Sequence, residues 1–288
     1  TDRLSIDTKN AGLMVCKFVA DGTDAYLGTL EEPYVYPMDS DSVSTLMKAL
    51  ENFRLGTKMG EVTAENRSDY GFDDPTAVID VHQTAGLFSQ IGSDGTLQSL
   101  TTGEQTVRLT FGAKDGEFFY FCEYAGECYR VSSFLVTTLV NADANNYLSR
   151  APADMGSANI ASIAMQLGGG SVEVRATYTE HVLANNDIET DSEGNTVYDV
   201  TVTLNGGETT TDAFDSLVER LKAMTVSGKL DGVQTPTGTP RWQMTLTTTG
   251  GVSRTLAAYP KDAFNDILAV DGVALYYLNS EAVQIALG

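Results

Sequence analysis

Basic residues are scarce in this chain of 288 residues. Lys and Arg together number 18 against 39 Asp and Glu, which gives a formal net charge of −21 at pH 7. Nucleic-acid binders need clustered Lys and Arg to contact phosphates, and docking on an anionic lipid surface needs a basic patch. We therefore expect no nucleic-acid partner and no direct adsorption to a membrane.

Long apolar runs are also missing. No stretch approaches the roughly 18 apolar residues that indicate a transmembrane helix, and the chain starts at Thr1 without a signal-peptide pattern. Apolar residues still make up 42% of the chain, which is enough to build packed cores. At about 150 residues per domain, the length predicts two globular domains.

Cysteine and histidine are few. Three cysteines cannot form a disulfide scaffold, but Cys122 and Cys128 flank a predicted hairpin tip and are either bonded to each other or free. Two histidines, His82 and His181, exclude a three-histidine zinc site within one chain. We interpret both as parts of solvated strand faces, with an Asp80–His82 contact as the alternative for the first.

What the sequence does contain is an internal repeat. Residues 41–53 carry the apolar stripe of an amphipathic helix, and residues 212–224 repeat that stripe without a gap. Asp41 or Ser42 is predicted to cap the first of these helices. Alternating strand patterns precede each helix, and a strand opened by Pro, a hairpin and a last helix follow it.

This order of elements predicts the fold class. Hairpins and few helices favour α+β, with two tandem repeats, each a mostly antiparallel sheet with one or two packed helices. A polar linker places the domains at 1–152 and 153–288. The first repeat is expected to end in a helix over about 133–148. It carries a Gly/Ser/Thr-rich loop at 90–105, and the second repeat carries an acidic loop at 185–195.

The first repeat also carries several motifs in a fixed order. An aromatic residue and a Pro stand in Tyr34–Pro37, a Tyr-Gly-Phe-Asp-Asp-Pro segment occupies 70–75, and Phe-Gly at 111–112 precedes an aromatic hairpin at 118–131. This order resembles the bacterial family catalogued as domain of unknown function 4340. The resemblance covers roughly residues 4–150, and the second repeat matches only in outline.

The resemblance implies an extracytoplasmic domain of the cell envelope, held by an N-terminal membrane anchor or lipoprotein signal missing from this chain. Some such proteins are similar to accessory proteins of gliding-type ABC transporters. The family supplies no catalytic residues. We therefore expect a non-catalytic binding or scaffolding module without a cofactor, with a protein or glycan partner in the envelope. The alternatives are a secreted hydrolase that uses a carboxylate pair on glycan or peptide, and a small-ligand receptor with a cleft between the repeats.

The Tyr-Gly-Phe-Asp-Asp-Pro segment has a structural interpretation. Gly71 is predicted to adopt a positive φ between two anchoring rings, one of which is Tyr70. Asp73 or Asp74 is expected to close an Asx turn, and Pro75 to fix the entry into the next strand.

Motifs for catalysis are incomplete, and one segment is a ligand candidate. The sequence has no Gly-x-Ser-x-Gly elbow, no His-Glu-x-x-His pair and no complete P-loop. In the acidic loop, alternating carboxylates before a Gly offer the oxygen donors that Ca²⁺ prefers. A solvated hairpin loop is the competing interpretation, since the twelfth position of an EF-hand loop would be Tyr198. The calcium candidates are Asp187, Glu189, Asp191 and Glu193.

Aromatic side chains crowd the predicted hairpin at 118–131, and Phe118 is the first of them. They alternate between two strand faces, so one set fills the core and the other leaves an aromatic patch. Packing between the domains is one interpretation of that patch, and a docking surface for peptide or glycan is the other. The docking candidates are Phe119, Phe121, Tyr124 and Tyr129.

Overall fold

The chain divides into two compact units. A computed structural model describes residues 1–21, 25–91, 97–192, 194 and 196–287. Unit 1 comprises Thr1–Val19 and Leu27–Leu148, and unit 2 comprises Ala20–Tyr26 and Ser149–Gly288. The domain boundary between residues 152 and 153 stays a prediction.

The described part of unit 1 is built on a nine-stranded sheet. Its strands are β1 (Arg3–Thr8), β2 (Gly12–Asp21), β3 (Ala25–Glu32), β4 (Tyr36–Pro37), β5 (Thr57–Glu61), β6 (Ala77–Gln83), β9 (Gln105–Asp115), β10 (Phe119–Tyr124) and β11 (Glu127–Ser132). A separate hairpin consists of β7 (Gly86–Ile91) and β8 (Leu97–Thr102). The helices are α1 (Ser40–Asn52) and α2 (Ser133–Val140), with a 3-10 turn at Ala144–Asn146. The strand order in the sheet is β4-β3-β2-β1-β6-β9-β10-β11-β5.

The described part of unit 2 is built on a second nine-stranded sheet. Its strands are β12 (Ile160–Leu167), β13 (Gly170–Glu180), β14 (Tyr198–Leu204), β15 (Gly207–Thr209), β16 (Gly228–Gln234), β17 (Trp242–Thr248), β18 (Ser253–Pro260), β19 (Asn265–Val270) and β20 (Val273–Asn279). The helices are α3 (Thr211–Lys222) and α4 (Ser280–Leu287). The strand order is β15-β14-β13-β12-β17-β18-β19-β20-β16.

The two sheets share one order of strands. When the sheet strands of each unit are counted from its start, both sheets run 4-3-2-1-6-7-8-9-5. The pairings with a described register are antiparallel, as in β1 with β6 and β12 with β17. The prediction of an α+β fold with largely antiparallel sheets is confirmed.

The amphipathic helices form where the apolar stripes predict them. α1 buries Val43 and Leu46, and α3 buries Phe214 and Leu221. The predicted cap of α1 was wrong, because the helix begins one turn earlier than its apolar stripe. The carboxylate of Asp39 accepts a hydrogen bond from the Ser42 amide at 3.0 Å and so satisfies a free amide of the first turn.

The last helix of unit 1 is shorter than expected. α2 ends at Val140 rather than near residue 148. The Asp143 carboxylate accepts from the Asn145 amide at 2.9 Å and starts a separate 3-10 turn, which replaces the continuing helix. Tyr147 and Leu148 after this turn are buried in the core.

Part of the region predicted as a loop at 90–105 forms strands. β7 and β8 pair from Gly86 with Thr102 through Ile91 with Leu97, and β9 already begins at Gln105. Residues 92–96 lie outside the described part. The sequence signal failed here because Ser and Thr are compatible with both loops and strands.

Each core lies between the helices and one face of the sheet. In unit 1 this face buries Leu4, Ile6, Ile79 and Phe111, and the ring of Phe53 at the end of α1 meets Phe111 edge to face. We call the opposite side, turned away from the helices, the outer face. None of the helices in the described residues is long and apolar enough to cross a bilayer.

Candidate functional site

Residues 62–75 connect β5 to β6 and lie on the outer face of unit 1. The Ala113 amide in β9 donates a hydrogen bond to the Tyr70 carbonyl oxygen at 2.8 Å. Gly71 has φ +76°, as predicted, and a Cβ on it would lie 2.7 Å from the Ala113 nitrogen. The glycine therefore provides both the turn and the close approach to the strand.

A second glycine on β9 completes this contact. A Cβ on Gly112 would overlap the Tyr70 carbonyl oxygen and lie 2.8 Å from the Phe72 ring. The Thr76 hydroxyl donates to the Gly112 carbonyl oxygen at 2.7 Å. Since neither glycine carries a side chain, the backbones of segment 62–75 and β9 touch directly. This contact explains why the Tyr-Gly motif and the later Phe-Gly motif occur together in the sequence.

Aromatic rings fix the segment on the sheet. The Tyr70 ring centroid lies 4.9 Å from that of Phe121 and 5.8 Å from that of Phe72, and Phe72 is buried. The aspartates of the motif form ion pairs, and the expected Asx turn stays a prediction. Asp73 lies 3.4 Å from Arg67 Nε, and Asp74 forms an ion pair with Lys9.

An arginine of segment 62–75 reaches across to β10. Arg67 Nη1 donates to both carboxylate oxygens of Glu123, at 3.1 and 2.8 Å. Its guanidinium carbon lies 5.8 Å from the centroid of the Phe72 ring. A charge-assisted bond of this kind is stronger than a neutral one, so it holds the segment against the hairpin.

A cleft of about 360 Å³ opens on the outer face beside this ion pair. We call it the outer-face cleft. On its strand side, Arg108 donates to Asp80 from Nε at 2.7 Å and from Nη2 at 2.6 Å. The lining residues are Arg67, Phe72, Pro75, Val78, Arg108, Thr110, Glu123, Ala125 and Gly126.

The chemistry of the outer-face cleft follows from its two guanidinium groups. The bonds found among the described residues leave Arg67 Nη2 and Arg108 Nη1 as further donors. Three carboxylates, of Asp73, Asp80 and Glu123, outnumber the two cations, so the site has no excess positive charge for an anionic ligand. The cleft is therefore suited to neutral oxygen acceptors, such as carbonyl groups, above an apolar floor.

Sequence reasoning missed the charged residues of this cleft. Arg67 and Glu123 are 56 positions apart in the chain, and Asp80 and Arg108 are 28 apart. The alternation of polar residues along β6 and β9 was the one available signal. It becomes informative only once the register between these strands is known.

The predicted docking aromatics do not form one patch. Phe121 packs on Tyr70, and Phe119 lies under the Arg130 guanidinium at 4.0 Å. Tyr129 pairs in register with Cys122, and Tyr124 alternates with Cys122 on the same strand face. The four candidates therefore lie on two faces, and each is half-buried.

Other aromatic side chains of this region are exposed. Phe118 is 65% and Phe134 is 89% exposed. Both lie at the junction between the hairpin and α2, where the Ser133 amide donates to the Phe118 carbonyl oxygen at 2.8 Å. Neither was a docking candidate. The alternating pattern was expected to include Phe118, but that residue precedes the strand, and Phe134 lies on the helix.

The cysteines are free and buried. Cys122 pairs in register with Tyr129, and Cys128 pairs with Glu123, so the two side chains point to opposite faces of the hairpin. Burial raises the pKa of the Cys122 thiol to about 12 and that of Cys128 to about 11. Both thiols are thus protonated at neutral pH and poor nucleophiles.

The calcium candidates face separate partners. Asn185 Nδ2 donates to the Asp187 carboxylate at 2.7 Å, and the Glu189 carboxylate lies 3.6 Å from His181 Nε2. Glu193 lies outside the described residues. Among the residues that the structure does describe, no group of three or more His, Cys, Asp or Glu side chains is arranged to hold a metal. Calcium binding stays a prediction.

Each histidine lies between two carboxylates. His82 Nδ1 is 2.7 Å from Asp2 and Nε2 is 3.1 Å from Glu104. The Asp80 carboxylate, which was the alternative partner of His82, is held by Arg108 instead. His181 is 3.0 Å from Asp199 and faces Glu189 on its other side. Hydrogen bonds to Asp2 and Glu104 raise the pKa of His82, and a hydrogen bond to Asp199 raises that of His181.

Comparison with known families identifies one match. The model of the family described as Domain of unknown function (DUF4340) matches residues 29–241. The match includes segment 62–75, Gly112 and the aromatic hairpin, and it extends into unit 2, beyond the region expected from the motifs. No curated protein and no solved structure matches the chain.

Proposed function

Because the chain belongs to the DUF4340 family, we propose that it is a non-catalytic binding or scaffolding module of the bacterial cell envelope. The outer-face cleft is the observation that supports this proposal most directly. Two glycines, two aromatic rings and an ion pair hold segment 62–75 against the sheet and so keep the cleft open. Such preorganisation lowers the cost of ordering a binding surface.

The cleft is best suited to a peptide segment of a protein partner. Peptide carbonyl oxygens would accept from Arg67 Nη2 and Arg108 Nη1, while an apolar side chain would rest on Phe72 and Val78. The volume of about 360 Å³ is at the lower end of ordinary ligand sites, roughly 300–1,000 Å³. It therefore has room for a few residues rather than a folded element. A glycan partner would use the same donors but gain less from the apolar floor.

The location in the envelope, and a role beside an ABC-type transporter, rest on what the family resemblance implies. The cysteines add a physical argument. All three are buried, and burial raises the pKa of the Cys16 thiol to about 12. A protein with such thiols tolerates an oxidising compartment without disulfides.

We also propose that units 1 and 2 are divergent copies of one repeat. Their common strand order and the ungapped match of α1 with α3 support this. So do equivalent backbone bonds at the start of corresponding strands. The Thr76 amide donates to Phe111 at 2.7 Å, and the Arg241 amide donates to Ala258 at 2.8 Å.

Site-specific photo-crosslinking in cells tests the binding proposal. A photoreactive residue placed at position 108 of the full-length protein should form a crosslink to an envelope protein. The crosslinked site should lie in a peptide segment of that partner. The matched control is Arg3 on the outer face of unit 1, which does not line the cleft, is similarly exposed and is also paired with a carboxylate, that of Glu31. Equal capture at both positions, or at neither, would contradict a role of the cleft.

An activity assay tests the absence of catalysis. The purified protein is expected to release no product from glycan or peptide libraries. Turnover that disappears in Glu123→Gln or Asp80→Asn would show instead that the cleft is an active site.

A further inference from the structure

Polar side chains close the root of the β7–β8 hairpin. The hairpin leaves unit 1 between the end of β6 and the start of β9, where Gln105 Nε2 donates to Gln83 Oε1 at 2.8 Å. Next to this bond, His82 bridges Glu104 and Asp2, the residue before β1. We propose that His82 is a pH-dependent latch that ties Glu104 at the hairpin root when protonated and releases it when neutral.

The latch follows from counting protons on the imidazole. The protonated ring has two N–H donors, one for each carboxylate. The neutral ring has one N–H, so its other nitrogen presents a lone pair to a carboxylate. One of the two bonds is then lost, and the lone pair and the negative charge repel each other.

Glu104 is the carboxylate that leaves. Asp2 is held by its backbone, since the Phe18 amide donates to the Asp2 carbonyl oxygen at 2.7 Å and the Asp2 amide donates to His82 at 3.3 Å. The side chain of Glu104 is 73% exposed against 37% for Asp2, and its distance to the ring is longer. Glu104 can therefore turn into solvent at little cost.

The other charges near His82 are already paired. Arg3 lies beside it in the β1–β6 register, but Arg3 Nε is bound to Glu31 at 3.0 Å. Asp80, two residues along β6 on the same face, is held by Arg108. Burial opposes ionisation of Asp2, but the hydrogen bond with His82, a backbone hydrogen bond and the charges of His82 and the N-terminal amino group together outweigh it and lower the pKa of that carboxyl. Asp2 and Glu104 are thus the charged groups that act most strongly on the ring. Their hydrogen bonds raise the pKa of His82 above its ordinary value of 6.5, so the latch should open above that pH.

Amide hydrogen exchange of the whole protein tests the latch. Protection of residues 86–91 and 97–102, corrected for intrinsic exchange, should fall by about three- to tenfold as the pH rises through the His82 transition. His82→Gln should give low protection at every pH. The matched control is His181→Gln, which removes the other histidine held between carboxylates. This variant should keep the step, that is, the fall in protection of the hairpin as the pH rises.

A second variant keeps the proposal testable if His82→Gln is unstable. Glu104→Gln retains a neutral partner for His82 and should also abolish the step, while the His82 ring still titrates by NMR. A step that persists in Glu104→Gln, or that is absent from the unmodified protein, would overturn the latch. So would loss of the step in His181→Gln.

Discussion

Units 1 and 2 have the same strand order but complete their outer faces differently. In unit 1, segment 62–75 crosses the sheet and docks where Gly112 leaves space. In unit 2, the connection from β16 to β17 covers only residues 235–241, and Tyr259 occupies the position equivalent to Gly112. One topology therefore supports two surfaces, which differ in the length of this connection and in the residue at the position of Gly112.

Unit 2 covers part of its outer face with side chains. Leu230 packs with Ala269 and Ala274 in a small cluster to which Tyr259 and Tyr277 also contribute. A register shift in the β16–β20 pair allows the edge strand to reach this cluster. This arrangement needs no crossing segment. A separate cleft of about 340 Å³ lies on the outer face of unit 2, and its lining, which includes Glu173, Gln243 and Thr245, contains no arginine.

The Asp80–Arg108 ion pair beside the cleft corresponds to two neutral side chains in unit 2. In register, Thr245 and Thr255 of unit 2 stand where Asp80 and Arg108 stand in unit 1, and their hydroxyl oxygens are 3.1 Å apart. The cleft therefore depends on charged residues that the shared fold does not require. This difference supports the proposal that unit 1, rather than unit 2, carries the binding surface.

The largest effect is expected from Phe72→Ala. Loss of a buried ring under the crossing segment should lower the free energy of unfolding by about 4 kcal/mol, through lost burial and a residual cavity. Urea unfolding followed by circular dichroism measures this. The single Trp, Trp242, is buried in unit 2 and reports that unit by fluorescence. An equal loss in Tyr259→Ala, whose ring is only half-buried, would contradict the difference between the units.

A somewhat smaller effect is expected from Gly112→Ala. The added Cβ meets a backbone carbonyl that cannot move aside, so we expect a loss of about 3 kcal/mol. Gly170→Ala is the control, since a Cβ there has only one ordinary contact, 3.6 Å from the Leu167 carbonyl oxygen. Equal unfolding midpoints for the two variants would show that segment 62–75 is not in direct backbone contact with β9.

Removing the cation of the half-buried Arg67–Glu123 ion pair ranks third. Arg67→Gln leaves the Glu123 carboxylate, which is 20% exposed, without its charged partner. We expect a loss of about 1.5 kcal/mol. Arg108→Gln breaks an ion pair whose cation is 68% exposed and should cost less, about 0.5 kcal/mol. Urea unfolding measures both losses. A larger loss of stability in Arg108→Gln than in Arg67→Gln would contradict the view that Arg67 mainly holds segment 62–75 in place and Arg108 mainly serves as a donor for a ligand.

The smallest effect is the pH dependence of the free energy of unfolding. The histidine of each unit should contribute to it in the same direction. The folded-state pKa of His82 and of His181 is raised by carboxylate partners. Each histidine therefore adds stability that is fully present below the unfolded pKa and is lost as pH rises through the folded pKa. The difference in urea midpoint between the unmodified protein and the double variant His82→Gln/His181→Gln should shrink from pH 6 to pH 8.5. A difference that grows with pH would contradict the raised pKa values.

Local sequence patterns predicted the elements of the fold well. The apolar stripes located α1 and α3, and the turn chemistry predicted the positive φ of Gly71. The errors arose where one side chain redirected the backbone, as Asp39 did by capping α1 and Asp143 did by starting a new turn. Such side-chain hydrogen bonds to the backbone are similar in energy to the helical bonds at a helix end. The apolar periodicity alone therefore does not predict where a helix begins or ends.

The candidate site was less predictable than the fold. The sequence drew attention to Tyr70 and Gly71 but gave them a purely architectural role. It did not indicate that Arg67 would meet Glu123, because that pairing requires the crossing path of segment 62–75 and the register of β10. Contacts between distant positions follow from topology, which single-sequence patterns specify poorly.

The contact between Gly112 and the Tyr70 carbonyl has a consequence for sequence drift among related chains. A side chain can be accepted at position 112 only if the crossing segment lifts away, so changes at positions 71 and 112 should accompany each other. A lineage that acquires a large residue at 112 should also shorten the β5–β6 connection and lose both arginines of the cleft. Unit 2, with Tyr259 and a short connection, already shows that combined outcome within the same chain.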